Sequence, residues 1–287
     1  MRDSNAPLER ARRSWNAVVP VHASHRPRQA AFLAAGGSTL FPEESTLLGP
    51  VAGRTVLHLL CNTGQDSLSL AAAGARVTGV DISDEAVTAA RQLAEEARIA
   101  VQFERADALD WLAAAARAGD SYDIAFASYG AVCWLRDLVG FAAALARVVR
   151  PGGRFVLVDF HPVAAIFDGQ WRHREPYPMG GAPLELDGVG DYVGAAGGGL
   201  SPGGFATGVD GFRNPHSCIL YRWGLGDVVT AFSSASWVVQ RLEEYPFANG
   251  ERQFERMRTL PGRRLAPPPD VPSVPLMYGL LAERNPA

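Results

Sequence analysis

Between residues 54 and 160 the chain alternates short, almost wholly apolar runs with amphipathic segments of helical length. No other feature constrains the fold as much. The apolar runs are RTVLHLL (54–60), ARVTGV (75–80), AVQFERA (100–106), YDIAFAS (122–128) and GRFVLVDF (153–160). The segments between them, 64–73, 83–97, 107–118 and 134–149, are rich in Ala, Leu, Glu and Arg. Strands that are apolar on both faces need cover on both sides, and crossover helices supply it. Together with strands expected at 237–245 and 275–284, the pattern predicts an α/β fold built on a doubly wound, mostly parallel, seven-stranded Rossmann-like sheet.

The flanks have a different texture. Residues 1–53 read as a helical lid anchored by Trp15, Val18, Val19, Phe32 and Leu33, with a turn at Gly36-Gly37-Ser38 and a helix start at Pro42-Glu43-Glu44. After the core at 54–160, residues 161–223 hold most of the surplus glycine and many prolines. Trp171, Tyr177, Tyr192, Phe205, Phe212 and Tyr221 punctuate that stretch, so it reads as a partly ordered, inserted cap rather than a linker. Residues 224–287, opening with a helix at 224–235, complete the sheet.

Composition removes several classes of function. The chain has 287 residues, enough for one large domain or two small ones. All 27 of its basic residues are arginine. Without lysine there is no P-loop, no pyridoxal Schiff base and no lysine general base. A net charge of −3 gives no positive field to recruit nucleic acid. Cys61, Cys133 and Cys218 are isolated from one another and from histidines, so neither zinc ligation nor a disulfide framework is expected. A polar start and the lack of any long apolar run predict no signal peptide and no membrane partner, hence a cytoplasmic protein. The oligomeric state stays open, a homodimer being one option.

The chemistry-bearing residues sit where the apolar runs end. The first leads through Leu60, Cys61, Asn62 and Thr63 to Gly64, a turn that either admits a ligand or simply joins strand to helix. The second ends in Asp81-Ile82, with Ser83 as a helix cap. A carboxylate there is placed for both ribose hydroxyls of an adenosine, or else faces solvent. Asp107-Ala108 follows the third run, Ser128-Tyr129-Gly130 the fourth, and Pro151-Gly152-Gly153 turns into the fifth.

This series resembles the class I S-adenosylmethionine-dependent methyltransferases, through VLHLLCNTG (56–64), VTGVDIS (77–83), Asp107-Ala108, YDIAFAS (122–128) and VVRPGGRFVLVDF (148–160). Trp15-Asn16 and His161-Pro162 are similar to elements of bacterial small-molecule methyltransferases of specialised, antibiotic-type metabolism. Leu60 and Asn62 stand where many members have glycine, and His58 stands where an acid is usual, so that acid's role passes to a neighbour or to water. The resemblance implies S-adenosylmethionine as cofactor, S-adenosylhomocysteine as product and a small-molecule acceptor methylated at N, O or C. It implies that Cys61, Asn62 and Gly64 line the methionine portion, that Asp81 holds the ribose, that Ile82 packs on the adenine and that Asp107, beside Ala108, meets its amino group. Ser128 and Tyr129 would flank the sulfonium, and Trp15 and His22 would close over the cofactor.

His161, just beyond the fifth strand, is the first candidate for the acceptor's general base, against the alternative of shaping the turn before Pro162; Tyr129 and His216 follow it. No metal is expected. Arginines 252, 256, 258, 263 and 264 read as a solvated helix face and loop, or as an anion site. Acceptor recognition is expected in the cap, with its glycine-rich middle (about 194–208) closing over the acceptor. Two other functions stay in play. One is a non-catalytic cofactor-binding regulator. The other is a nicotinamide-dependent dehydrogenase, which the missing glycine fingerprint and the impossible Tyr-x-x-x-Lys pair disfavour.

Overall fold

The computed structural model describes residues 6–286. Three helices come first: α1 (Ala6–Ser24), α2 (Gln29–Ala34) and α3 (Pro42–Leu48). Strands and helices then alternate as β1 (Thr55–Leu59), α4 (Gln65–Ala72), β2 (Arg76–Asp81), α5 (Asp84–Ala97), β3 (Gln102–Arg105), α6 (Ala108–Ala118), β4 (Tyr122–Ser128), α7 (Leu138–Val148) and β5 (Val149–Phe160). The cap contributes β6 (Ala182–Leu186), α8 (Tyr192–Ala196) and β7 (Cys218–Arg222). Next come α9 (Leu225–Ser233), β8 (Trp237–Tyr245), β9 (Ala248–Asn249), β10 (Arg258–Leu260), β11 (Arg264–Ala266) and β12 (Met277–Arg284).

The main sheet has seven strands in the order β3-β2-β1-β4-β5-β12-β8. The first five are parallel, and β12 runs antiparallel between β5 and β8. Period-two geometry splits β4: Ile124 and Phe126 point into one hydrophobic layer, Ala125 and Ala127 into the other. The layer of Ala125 is closed by Leu112 of α6, Phe141 of α7 and Phe232 of α9. Leu47 and Leu48 of α3 and Leu70 of α4 close the other. Caps explain where the helices start. The Ser83 hydroxyl accepts from Ala86 N–H, Asp107 from Leu109 and Asp110, and Asp137 from Gly140.

Two expectations change. The helix expected at 134–149 begins at Leu138, because a 3-10 turn (Val132–Trp134) precedes it and Asp137 caps it. The arginine-rich stretch is not helical. Pro261-Gly262-Arg263 turns the chain back, with φ of +76° at Gly262 and +61° at Arg263, so that β10 pairs with β11 and β11 with β9 in a three-stranded sheet. Proline fixes the turn and removes a helix donor. The cap itself is an antiparallel β6–β7 pair with α8 in the long connection between them. It packs on α1, where Val18, Val189 and Cys218 form a small buried cluster.

Candidate active site

A cavity of about 470 Å3 lies at the carboxyl ends of β1, β2 and β4, where open parallel sheets bind ligands. Its floor is the β1–α4 turn. Leu60 and Asn62 adopt left-handed φ of +52° and +50°, and Gly64 follows at +70°. Leu60 fits here because its side chain packs on the sheet core, and Asn62 because its Oδ1 accepts from Thr63 N–H at 2.7 Å. Gly64 does not line the cavity. A Cβ there would overlap the Phe103 ring, so this glycine serves the close packing of turn on sheet.

Asp81 is held by the backbone on both oxygens. Asn62 N–H donates to Oδ2 at 2.8 Å and Ser83 N–H to Oδ1 at 2.9 Å. Burial raises its pKa, and those N–H bonds oppose the rise. Asp107 also lines the cavity; as the α6 cap it accepts both helix N–H groups on Oδ1. Cys61, Ile82, Ala108, Ser128, Tyr129 and Trp15 complete the set that the structure gathers into this one cavity. Tyr129 has a left-handed φ of +45°, and its hydroxyl accepts from Asn249 Nδ2 at 3.1 Å.

The roof is aromatic. Trp15 meets Trp134 edge-on at 5.6 Å between ring centroids and Tyr192 at 6.3 Å. Asn16 ties α1 down: its Oδ1 accepts from Ser83 Oγ at 2.7 Å, and its Nδ2 donates to Asp84 at 3.0 Å. His22 is not in the wall. It lies behind Tyr192, 4.3 Å between rings, with burial pushing it down to about 4, and it donates from Nε2 to Gly190 O at 3.2 Å. The glycine-rich middle of the cap also serves this cavity, since Leu200 and Pro202 line it.

His161 is elsewhere. It lines a second cavity of about 400 Å3, where its Nδ1 accepts from Val163 N–H at 3.1 Å and its Nε2 lies 2.9 Å from Glu244 Oε1. With one nitrogen capping a turn and the other facing a carboxylate, neither is directed at the first cavity. His216 lines neither cavity.

Sequence reasoning passed over several wall residues. Asp66 accepts from Thr39 Oγ1 at 2.5 Å and, on its other oxygen, from Ser128 Oγ at 3.4 Å. It lines the same cavity as His58, which is buried, pushed down to about 4 and bonded to Ser67 Oγ at 2.7 Å. Arg26 enters from the segment after α1, with Nε donating to Leu200 O at 3.0 Å. Arg263 stacks on Phe41 at 4.2 Å. Of the five arginines in that stretch only Arg263 reaches this wall; Arg264 pairs with Glu43 and Arg256 with Asp270. Glu251 follows the short strand β9. The signals for these residues were faint: an acid two positions after Gly64, and single charges in loops. Among the described residues no group of three or more His, Cys, Asp or Glu is arranged to hold a metal, and no helix is long and apolar enough to cross a membrane.

Residues 56–153 match the family model described as a methyltransferase domain. That match runs from β1 to the start of β5 in the seven-stranded sheet. It is 36% identical over 138 residues to a demethylmenaquinone methyltransferase of Clavibacter sepedonicus, covering 46% of this chain and 52% of the relative. It is 32% identical over 149 residues to a ubiquinone biosynthesis O-methyltransferase of a Methylobacterium species, covering 49% and 55%. The chain therefore spans about half the length of these curated relatives. An S-adenosylmethionine-dependent methyltransferase structure from Mesorhizobium loti superposes with a TM-score of 0.55 at 20% identity, covering 86% of this chain and 99% of that one.

Proposed function

We propose that the chain transfers a methyl group from S-adenosylmethionine to a small-molecule acceptor in specialised metabolism. The observation that carries this reading is the pair of carboxylates in one cavity. Asp81 is pinned by two backbone N–H groups, and Asp107 takes its two helix N–H bonds on a single oxygen, Oδ1. Their donor chemistry fits an adenosine: ribose hydroxyls donate to Asp81, an exocyclic amine donates to Asp107 Oδ2, and Ile82 offers an apolar face to the base. Asp66 and Arg26 add one negative and one positive group, which suit an amino-acid zwitterion. The named substrates of the relatives, demethylmenaquinone and intermediates of ubiquinone biosynthesis, support a small-molecule acceptor.

When bound, S-adenosylmethionine supplies a methyl group already activated on sulfur. The protein's contribution is then positioning and exclusion of water, which the pinned floor and the Trp15–Trp134–Tyr192 roof are built to provide. Calorimetry tests the reading. S-adenosylmethionine and S-adenosylhomocysteine should bind, while NAD and NADP should not. Asp81→Ala should weaken binding on the order of a hundredfold, because two charge-assisted hydrogen bonds go. An Asp81→Ala protein that binds as tightly as the parent would overturn the ribose assignment. A screen of phenols, quinols and amines with labelled methyl donor then identifies the acceptor.

A further inference from the structure

The cofactor cavity and the second cavity meet. Gly130, Cys133, Phe160, Leu220 and Glu251 line both. Glu251 is the one carboxylate in that shared wall. Its position is fixed from below. Its own N–H donates to Asn249 O at 2.8 Å, Gly250 N–H donates to Arg263 O at 2.8 Å, and Gly250 sits against Gly199 and Leu200 of the cap with φ of +71°. Its carboxylate, by contrast, has no hydrogen-bond or ion-pair partner among the described residues. The side chain is half-buried, so its carboxylate is left to meet whatever occupies the two cavities.

The groups around it explain why it is not paired. Asp159, on β5, already accepts from the N–H groups of Gly130, Val132 and Phe160 and contributes only repulsion. The Cys133 thiol and the Tyr192 hydroxyl also lie within electrostatic reach, and burial pushes both upward, so they stay neutral. His161, across the second cavity, is held down by burial and faces Glu244. Burial first, and then Asp159, push Glu251 up to about 7. A carboxylate in that range both takes and releases a proton near neutrality.

We propose that Glu251 is the catalytic proton acceptor, standing between the cofactor cavity and the second cavity, through which an acceptor bearing a hydroxyl or amine on an aromatic body enters. The second cavity's aromatic walls, Phe160, Phe167, Trp223, Phe254 and Tyr278, fit such a body. The acceptor's O–H or N–H bond breaks and its proton passes to a Glu251 oxygen. The electron pair left behind forms the new bond to the methyl carbon, and the pair of the broken carbon–sulfur bond stays on sulfur as a neutral thioether. Glu251 then returns its proton to water.

This inference rests on the methyltransferase reading, and the test separates the two. A sulfonium beside Glu251 favours its ionised form, whereas the thioether of S-adenosylhomocysteine carries no charge. Calorimetry at pH 7 in phosphate and in Tris should therefore show S-adenosylmethionine releasing about half a proton more than S-adenosylhomocysteine. The difference should fade by about pH 9, where the acid is already ionised. Glu251→Gln should bind both ligands and lose the difference, and Glu251→Asp should keep it. With any acceptor found by screening, Glu251→Gln should lower kcat on the order of a hundredfold. Equal proton release by the two ligands in the parent, a measurement independent of whether any variant folds, overturns the inference. So does a difference that survives in Glu251→Gln. If neither ligand binds the parent, the methyltransferase reading falls and takes the inference with it.

Discussion

The floor and the roof of the first cavity are built by different means. In the floor, main-chain groups hold the functional atoms: Asp81 by the N–H groups of Asn62 and Ser83, Asp107 by those of Leu109 and Asp110. Behind them stand strands whose side chains are buried on both faces. In the roof, ring edges hold one another. Trp15 of α1, Trp134 of the 3-10 turn after β4 and Tyr192 of the cap meet over a buried cluster of Val18, Val189 and Cys218. Polar clasps join α1 and its following turn to the cap: Arg10 pairs with Glu185, and His25 Nε2 lies 2.8 Å from Asp191 Oδ2. A ligand common to a whole class of proteins can be read by a rigid floor. The roof, by contrast, consists of parts that substitutions can reshape without disturbing the sheet.

That contrast can be broken by experiment. The largest effect is expected from Phe126→Ala, which empties a fully buried site in the sheet and should cost about 3–5 kcal/mol in urea unfolding. Trp15→Ala in the roof should cost about 2 kcal/mol or less while weakening S-adenosylmethionine binding. Equal losses of stability would erase the distinction between the two parts.

Gly64→Ala tests whether the floor's precision lies in its backbone. The added Cβ meets Phe103 and sits at φ +70°, so stability should fall by about 1–3 kcal/mol. Retained stability would mean that the turn relaxes freely. The smallest effect is a pH slope. His58 in the floor and His22 behind the roof are both pushed down to about 4 by burial, whereas the unfolded chain titrates them near 6.5. Between those values the unfolded state holds more protons, so stability should fall as pH drops from 6.5 towards 4. His58→Asn and His22→Asn should each flatten that slope by about one proton's worth. If only His58→Asn does so, the roof is open to water before the protein unfolds.

The same contrast explains what the sequence revealed. Strands β1, β2, β4 and β5 were legible as largely apolar runs, and β3, with only Phe103 buried, from its place between two helices; Asp81, Ile82, Asp107 and Ser128 were legible because they sit at or just after strand ends. Such positions are fixed by local spacing. Glu251, Arg26 and Arg263 were not legible as site residues, because they arrive on loops whose course depends on contacts far along the chain, such as Gly250 on Gly199. Asp66 was hidden for another reason: an acid in the first turn of a helix is ordinary there. His161 shows the limit of position alone. It does follow β5, but its ring turns to cap Val163 and face Glu244.

The insertion of β12 between β5 and β8 has a consequence for synthesis. Strand β8 leaves the ribosome before β12 and has no place in the sheet until β12 arrives, because it touches the rest of the sheet only through that strand. Until then the nascent chain exposes one long edge of β5 and a free ribbon carrying Trp237, Val239 and Leu242. Unpaired edges of this kind invite pairing with other chains. The sheet therefore cannot close during translation of its first five strands, and the interval before β12 emerges is when the growing polypeptide most needs a chaperone.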